Sequence, residues 1–204
     1  MFGIISIVIQ KIVGIDEAGR GSLAGPVSVG AISCDESFLK KLEAIGRIPD
    51  SKKLSPQKRD EWFSRIKEWK KEGLLDYSIS LVNSETIDRD GISHSIRTGI
   101  KRNLKKLSIR PSNSIILLDG GLVAPKVYSS QIAIIKGDEK IPLIALASIV
   151  AKVLRDRHMD RVGIRMPEYF FEVHKGYGTR LHYQCLKKHG ISSLHRKTFV
   201  HIDK

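Results

Sequence analysis

Asp16 and Glu17 stand at the end of an apolar run, Ile12-Val13-Gly14-Ile15, and lead through Ala18 into Gly19-Arg20-Gly21. Glycines on both sides of the arginine permit backbone conformations closed to other residues and let a ligand approach the main chain. The same arrangement recurs downstream. Ser114-Ile115-Ile116-Leu117-Leu118 ends in Asp119-Gly120-Gly121, and a third apolar run, Gln131 to Ile135, leads into Lys136-Gly137-Asp138. Each motif alone also fits a solvated strand end with a polar turn. Together they place Asp16, Glu17, Asp119 and Asp138 at or just past strand ends, and strand ends on one edge of a sheet can converge. Four carboxylates in one cleft repel unless protonated or neutralised by cations. All-oxygen ligands suit Mg²⁺ or Mn²⁺, and Mg²⁺ is commonly held by a few carboxylates together with substrate phosphate oxygens.

Charge supplies the second half of that reading. Lysine and arginine total 35 against 22 acids, a formal net charge of +13, so the expected macromolecular partner is a polyanion. A carboxylate-metal site beside a polyanion-binding surface points to phosphodiester chemistry. The sequence contains no P-loop, dinucleotide fingerprint or serine elbow, which disfavours nucleotide hydrolysis and acyl transfer. Other residues suit the same partner. Asp50-Ser51-Lys52-Lys53-Leu54 puts two lysines on a polar loop ahead of a helix, where they either grip phosphates or form solvated surface. His174-Lys175-Gly176-Tyr177-Gly178 is a basic, glycine-rich loop holding one aromatic ring, and His195-Arg196-Lys197-Thr198-Phe199 is a basic tail with an aromatic anchor. His182, Cys185 and His189 share a helix face, but their spacing matches no usual zinc pattern, and ordinary surface histidines are the alternative.

The elements that must position these residues follow from periodicity and punctuation. Met1 to Gln10 reads as a strand, and Pro26 to Ile32 as a strand forming a hairpin with the one that ends at Asp16. Short helical spacing over Phe38 to Ile45 stops at Gly46. Ser55-Pro56 starts a helix over roughly 56 to 72, with Trp62, Phe63, Ile66 and Trp69 as its core-facing stripe. Leu75 to Val82 alternates like a strand, Asp88 to Gly91 reads as a turn, and Ile92, Ile96, Ile100, Leu104 and Leu107 mark a helix with a basic end. Pro142 to Leu154 reads as a buried helix whose charged end, Arg155-Asp156-Arg157, returns to water. Thr179 caps a last helix that stops at Gly190. Strands and helices interleave, so the expected fold is α/β, with helices on the faces of a sheet.

Length and composition fit one domain without a linker-separated partner. The apolar run from Ile141 to Ala151 is too short to span a bilayer, and Met1 to Gln10 lacks the basic start of a signal segment. Cys34 and Cys185 have neither CxxC spacing nor a secretory context, so reduced thiols in the cytoplasm are expected.

Five blocks in order carry a family resemblance: Gly14 to Gly21 with Leu23-Ala24-Gly25-Pro26-Val27; Asp50 to Ser55; Leu118-Asp119-Gly120 with Lys136-Gly137-Asp138; Ala147 to Val153 with Arg155-Asp156; and His174 to Thr179. Over nearly its whole length the chain resembles bacterial ribonuclease HII. Ser22 departs from the pattern, since the family more often has proline there, which touches the rigidity of the turn. The related ribonuclease HIII group usually carries an additional N-terminal substrate-binding domain, for which the residues before Asp16 leave no room.

The resemblance implies a ribonuclease-H-like mixed sheet flanked by helices, one domain over 1–204 in which a helical C-terminal extension, roughly 156–204, closes over substrate. It implies a monomeric endoribonuclease that cleaves RNA in RNA/DNA hybrids and ribonucleotides embedded in duplex DNA, leaving 5′-phosphate and 3′-hydroxyl ends. Asp16, Glu17, Asp119 and Asp138 would be the catalytic residues and hold Mg²⁺ or Mn²⁺ in a two-metal site. Gly19, Arg20 and Gly21 would read the ribose 2′-hydroxyl, Tyr177 would stack on the following deoxyribose, Lys52 and Lys53 would hold phosphates, and His174 and Lys175 would join the substrate-binding loop. The 2′-hydroxyl is what distinguishes RNA from DNA, so backbone contact with it suits a glycine-rich turn. A metal-dependent nuclease acting on DNA alone and a non-catalytic nucleic-acid-binding module remain the alternatives.

Overall fold

The computed structural model describes residues 11–46 and 48–201. The strand expected over Met1 to Gln10 lies outside the described residues. Two hydrophobic layers form because β1 (Lys11–Ala18) alternates. Ile12 and Gly14 face one side of the sheet, while Val13 and Ile15 face the other. β1 pairs antiparallel with β2 (Val27–Cys34), which pairs antiparallel with β3 (Leu75–Val82); on its other edge β1 pairs parallel with β4 (Ser114–Asp119), followed by β5 (Gln131–Ile134). The order β3-β2-β1-β4-β5 is a mixed sheet. The expected hairpin and α/β class are present. The parallel half puts the ends of β1 and β4 side by side at one edge, which is where the acids stand.

Helices cover both faces. Between β2 and β3 lie α1 (Glu36–Ile45), capped by Asp35, and α2 (Pro56–Lys71), capped by Ser55. Both bury their apolar stripes on the Ile12 face, where Trp69 packs edge-on against Phe38 at 5.3 Å. Trp69 is buried and Trp62 packs at the margin of the same cluster, as their spacing predicts. On the opposite face α4 (Ile92–Lys106) packs Ile96, Ile100 and Leu104 against β2 and β3. Between β3 and α4, the segment expected as a turn at Asp88 to Gly91 is the last turn of a helix, α3 (Ser84–Asp90), followed by Gly91. Asn83 accepts a hydrogen bond from the Thr86 N–H at 3.0 Å and supplies the start signal that the charged run obscured.

The long helix α6 (Pro142–Arg165) decides where the site lies. It runs to Arg165, eleven residues past Leu154, and Arg155 is fully buried within the fold, so its charged end does not return to water there. It sits against the strands at backbone distance because two strand positions lack a side chain. A Cβ at Gly14 would stand 2.6 Å from the Leu143 carbonyl, and one at Gly30 would stand 2.9 Å from the Ala151 nitrogen. Ala147 and Ala151 provide the matching small surface, and Ser28 donates to the Ala151 carbonyl at 2.9 Å. Beyond α6, a third apolar cluster around Met159, Tyr169 and Phe171 receives α7 (Phe171–His174) and α8 (Arg180–His189). No helix among the described residues is long and apolar enough to cross a membrane.

This contact generates a stability prediction. Gly14→Ala and Gly30→Ala should each lower stability by about 1–3 kcal/mol, the usual range for overpacking a dense contact. Gly121→Ala, whose added methyl meets nothing within 4 Å, should change it by less than about 0.5 kcal/mol. Urea unfolding of the three variants checks the difference.

Candidate active site

Three acids reach one point from three elements. Asp16 comes from β1, Asp119 from the last residue of β4, and Asp138 from the one-turn helix α5 (Gly137–Lys140); an oxygen of each lies within 4.8 Å of the others. Among the described residues this is the one group of acids, histidines and cysteines able to close around a metal ion. α5 is set in place by Lys136, which adopts the left-handed conformation at φ 54°. That turn directs the Gly137 N–H onto Asp119 Oδ1 at 2.6 Å, fixing the carboxylate. The third acid therefore enters from a helix after β5, whereas the sequence placed it beside a strand end.

Asp16 and Glu17 do not share a face. β1 stays in register with β2 through Ala18, so the strand is neither ended nor distorted at the acids; its pairing with β4 stops at Ile15 and Leu118. Strand alternation accordingly sends Asp16 toward α6 and Glu17 the other way. Both still line one cleft of about 520 Å³, together with Gly19, Arg20, Gly21 and Asp119. Arg20 pairs with Glu17 at 3.3 Å.

The electrostatics favour binding of a cation. Burial raises the Asp16 carboxyl well above the usual carboxylate range, and the charges of Glu17 and Asp119 push it further. One oxygen of Asp16 and one of Glu17 are buried with no hydrogen-bond partner among the described residues. An orphaned buried carboxylate oxygen is costly unless a proton or metal meets it. Lys52 offsets part of the charge, with its ammonium 3.4 Å from Asp138. Burial works against that ammonium, but Asp138 and Asp16 outweigh it and hold its pKa above the ordinary value. The donor set and its unmet oxygens therefore suit a hard divalent ion.

The other residues singled out in the sequence divide. Lys52 and Tyr177 line the cleft. Lys53 sits at its margin, paired with Asp50 at 3.7 Å and Glu139 at 3.5 Å. His174 is buried beneath its loop, bonded to the Tyr169 carbonyl at 2.8 Å and accepting from the Gly176 N–H, and the Lys175 ammonium turns to Asp160; neither lines the cleft. His182 is buried too, 3.0 Å from His195, which corrects its reading as surface. Burial pushes the pKa of His182 down to about 4, and that of His195 likewise.

Sequence reasoning missed Ser51, Ser148 and Lys152, which also line the cleft. The Ser51 and Ser148 hydroxyls meet at 2.8 Å, tying the Asp50 turn to α6 beside Asp16. The available signal was their helical spacing: Ser148 and Lys152 lie four apart on the face of α6 that meets the acids.

Comparison with solved structures places this architecture. The structure of the PCNA:RNase HII complex from Archaeoglobus fulgidus aligns with a TM-score of 0.71 at 28% identity, covering 96% of this chain and 98% of that one. Ribonuclease H2 from Pyrococcus horikoshii OT3 aligns at 0.69 and 28% identity over 93% of each chain. The fold is thus of the ribonuclease-H-like class. A family model described as Ribonuclease HII matches residues 13–202. Proteins named Ribonuclease HII from Clostridioides difficile and Caldicellulosiruptor bescii are 44% identical over 187 residues and 42% identical over 189. The alignments cover 92% and 93% of this chain and 69% and 86% of those proteins. The chain belongs to the ribonuclease HII family: it is a hydrolase, an endoribonuclease with ribonuclease H activity in a divalent-metal-dependent family.

The raised pKa of Asp16 has a direction that can be tested in EDTA. A carboxyl whose folded pKa exceeds its unfolded value binds its proton more tightly in the native state, so stability is lost as pH rises through that interval. At neutral pH, above the unfolded carboxyl value, the metal-free protein is therefore less stable than it would be without this group. Asp16→Asn should therefore raise the metal-free melting temperature at pH 7 by a few degrees, the shift that about 1 kcal/mol produces in a chain of this size. The gain should shrink as pH falls toward the unfolded carboxyl pKa of about 4; thermal scans across pH check both parts.

Proposed function

We propose that the carboxylate cleft cuts the phosphodiester bond at a ribonucleotide, in RNA/DNA hybrids and at ribonucleotides embedded in duplex DNA, with Asp16, Glu17, Asp119 and Asp138 as the catalytic acids and ligands for Mg²⁺ or Mn²⁺. The observation that carries this reading is the meeting of Asp16, Asp119 and Asp138, the first two of which line a cleft shared with Gly19-Arg20-Gly21 and Tyr177. When bound, such ions supply Lewis acidity, activating water and neutralising charge that develops on the phosphate.

The chain's own residues supply position and selectivity. Gly137 holds Asp119 in orientation through its N–H, and Lys52, standing between Asp138 and the open cleft, is placed to meet a phosphate oxygen. A Cβ at Gly21 would meet nothing within 4 Å, which supports close approach of a ribose hydroxyl to the backbone there. Tyr177 presents its ring from the opposite wall, with Arg155 5.1 Å and Lys152 5.2 Å from the ring centre, and is the group we assign to sugar stacking. The loop around Tyr177 and α8 belong to the 156–204 portion, which we assign to covering the substrate. Hydrolysis would leave a 5′-phosphate and a 3′-hydroxyl. Cys34 and Cys185 are buried free thiols, which supports a reducing cytoplasmic setting.

Incubation with a DNA duplex carrying one ribonucleotide, an RNA/DNA hybrid and all-DNA, each with Mg²⁺ and with EDTA, tests the proposal. Cleavage of the first two alone, in Mg²⁺ alone, is expected. Asp119→Asn and Asp138→Asn should fold and lose roughly three or more orders of magnitude in turnover, as when a preorganised charge at a reacting centre is removed. Near-normal cleavage by either variant contradicts the assignment.

A further inference from the structure

Among the described residues, the two most deeply buried charged side chains are Arg155 and Arg196, each fully enclosed. Their hydrogen bonds go to main-chain carbonyls and one hydroxyl. Arg155 donates from Nε to the Pro26 carbonyl at 2.9 Å, and from Nη2 to Ser22 Oγ at 2.9 Å and the Ala24 carbonyl at 3.2 Å. Its Nη1 donates to the Lys175 carbonyl at 2.9 Å. Arg196 donates to the carbonyls of Gly25 at 3.0 Å, Arg20 at 2.8 Å and Gly19 at 2.7 Å. Its own N–H donates to the Leu23 carbonyl at 2.7 Å. Five of the eight carbonyls from Gly19 to Pro26, those of Gly19, Arg20, Ala24, Gly25 and Pro26, thereby accept from one of two guanidinium groups.

Such a pair is a poor device for stability alone. Burial, reinforced by the charge of Arg155, brings the Arg196 pKa down to about 9. Buried like charges held only by neutral acceptors are disfavoured relative to apolar packing. Their effect on the turn is specific, however. In a planar trans peptide the C=O and the following N–H point in opposite directions. The peptide groups whose oxygens go to Arg196 from Gly19 and Arg20 therefore turn the N–H groups of Arg20 and Gly21 away from it. Gly19, Arg20 and Gly21 line the cleft, whereas Arg196 does not. Gly19 is part of the same device. Its φ is +81°, and a Cβ there would fall on the Arg155 guanidinium, so its missing side chain makes room for an arginine beneath the turn and not for a ligand above it.

We propose that Arg155 and Arg196 are positioning residues for ribose selection, fixing the turn so that the N–H groups of Arg20 and Gly21 face a ribose hydroxyl oxygen in the cleft. The proposal rests on the ribonucleotide reading given above. Arg155 also binds the Lys175 carbonyl and underlies Tyr177, so one guanidinium sets the separation of the two cleft walls.

Fluorescence anisotropy in an Asp119→Asn background, which prevents cleavage, tests it by comparing affinity for a duplex with one ribonucleotide and for the all-DNA duplex. Arg196→Lys keeps the charge but replaces a three-donor fork by a single ammonium. It should reduce the preference for the ribonucleotide duplex by roughly tenfold, within the range for misplacing a binding group without removing it, while all-DNA affinity stays within about twofold. Ser22→Ala, which removes one acceptor of Arg155 and leaves the fold intact, should reduce the preference by about threefold, the scale of one lost hydrogen bond. An unchanged preference in Arg196→Lys overturns the proposal, as does an equal loss on both duplexes accompanied by a lower melting temperature. If Arg196→Lys does not fold, an unchanged preference in Ser22→Ala overturns it. Equal binding of both duplexes by the parent would defeat the ribonucleotide reading itself, and this proposal with it.

Discussion

Mutual repulsion among buried carboxylates is the constraint around which this protein is built. Asp16 is almost fully enclosed, and the negative groups beside it raise its pKa further. No gain in folding stability explains placing Asp119 and Asp138 within a few ångströms of it, since each added charge makes its neighbours harder to ionise. The arrangement makes sense as a coordination shell for a cation, since two of its carboxylate oxygens have no hydrogen-bond partner among the described residues. Lys52 is too exposed and too far, at 3.4 Å from a single acid, to complete it.

Holding such a cluster together requires a stiff frame, and the frame is made from close backbone contacts. Gly14 and Gly30 let α6 lie directly on β1 and β2, which brings Ser148 and Lys152 to the acids. On the far side, the turn after Asp16 is held by Arg155 and Arg196 and stitched to the C-terminal segment by hydrogen bonds from Leu23 and Ala24 to Gly176 and from Gly25 to Leu194. The acids are thus fixed from the sheet and the cleft walls from the C-terminal portion. A single long helix connects the two, because α6 begins just after Asp138, carries Arg155 against Tyr177, and ends in the apolar cluster of Met159, Tyr169 and Phe171.

The sequence made much of this legible where one residue type has one physical explanation. Apolar runs ending in acids gave the strands and three of the converging groups, and Ser55-Pro56 and Thr179 marked helix starts that the structure contains. It failed where a side chain's surroundings are set by residues far along the chain. Arg155-Asp156-Arg157 has the composition of a solvated helix end, yet Arg155 is buried because the Ala24, Pro26 and Lys175 carbonyls and the Ser22 hydroxyl gather around it. His182 and His174 look like surface or substrate-facing groups, but each finds its partners in the C-terminal packing. Gly19 was readable as a special backbone position, whereas the reason for it, an arginine occupying the space of its Cβ, depends on a contact 136 positions downstream in the chain. Glu17 shows what adjacency in sequence leaves out, since strand register turns it to the opposite face from Asp16 although both line the cleft.

The central claim, that the acids form a site whose repulsion is relieved by a divalent cation, is tested most directly by the melting temperature of the nucleic-acid-free protein titrated with Mn²⁺ at neutral pH. The account predicts a saturable rise, worth about 2.7 kcal/mol at a hundred times the dissociation constant, that is largely abolished by Asp16→Asn. No rise in the unaltered protein, or an equal rise in the Asp16→Asn variant, would contradict it.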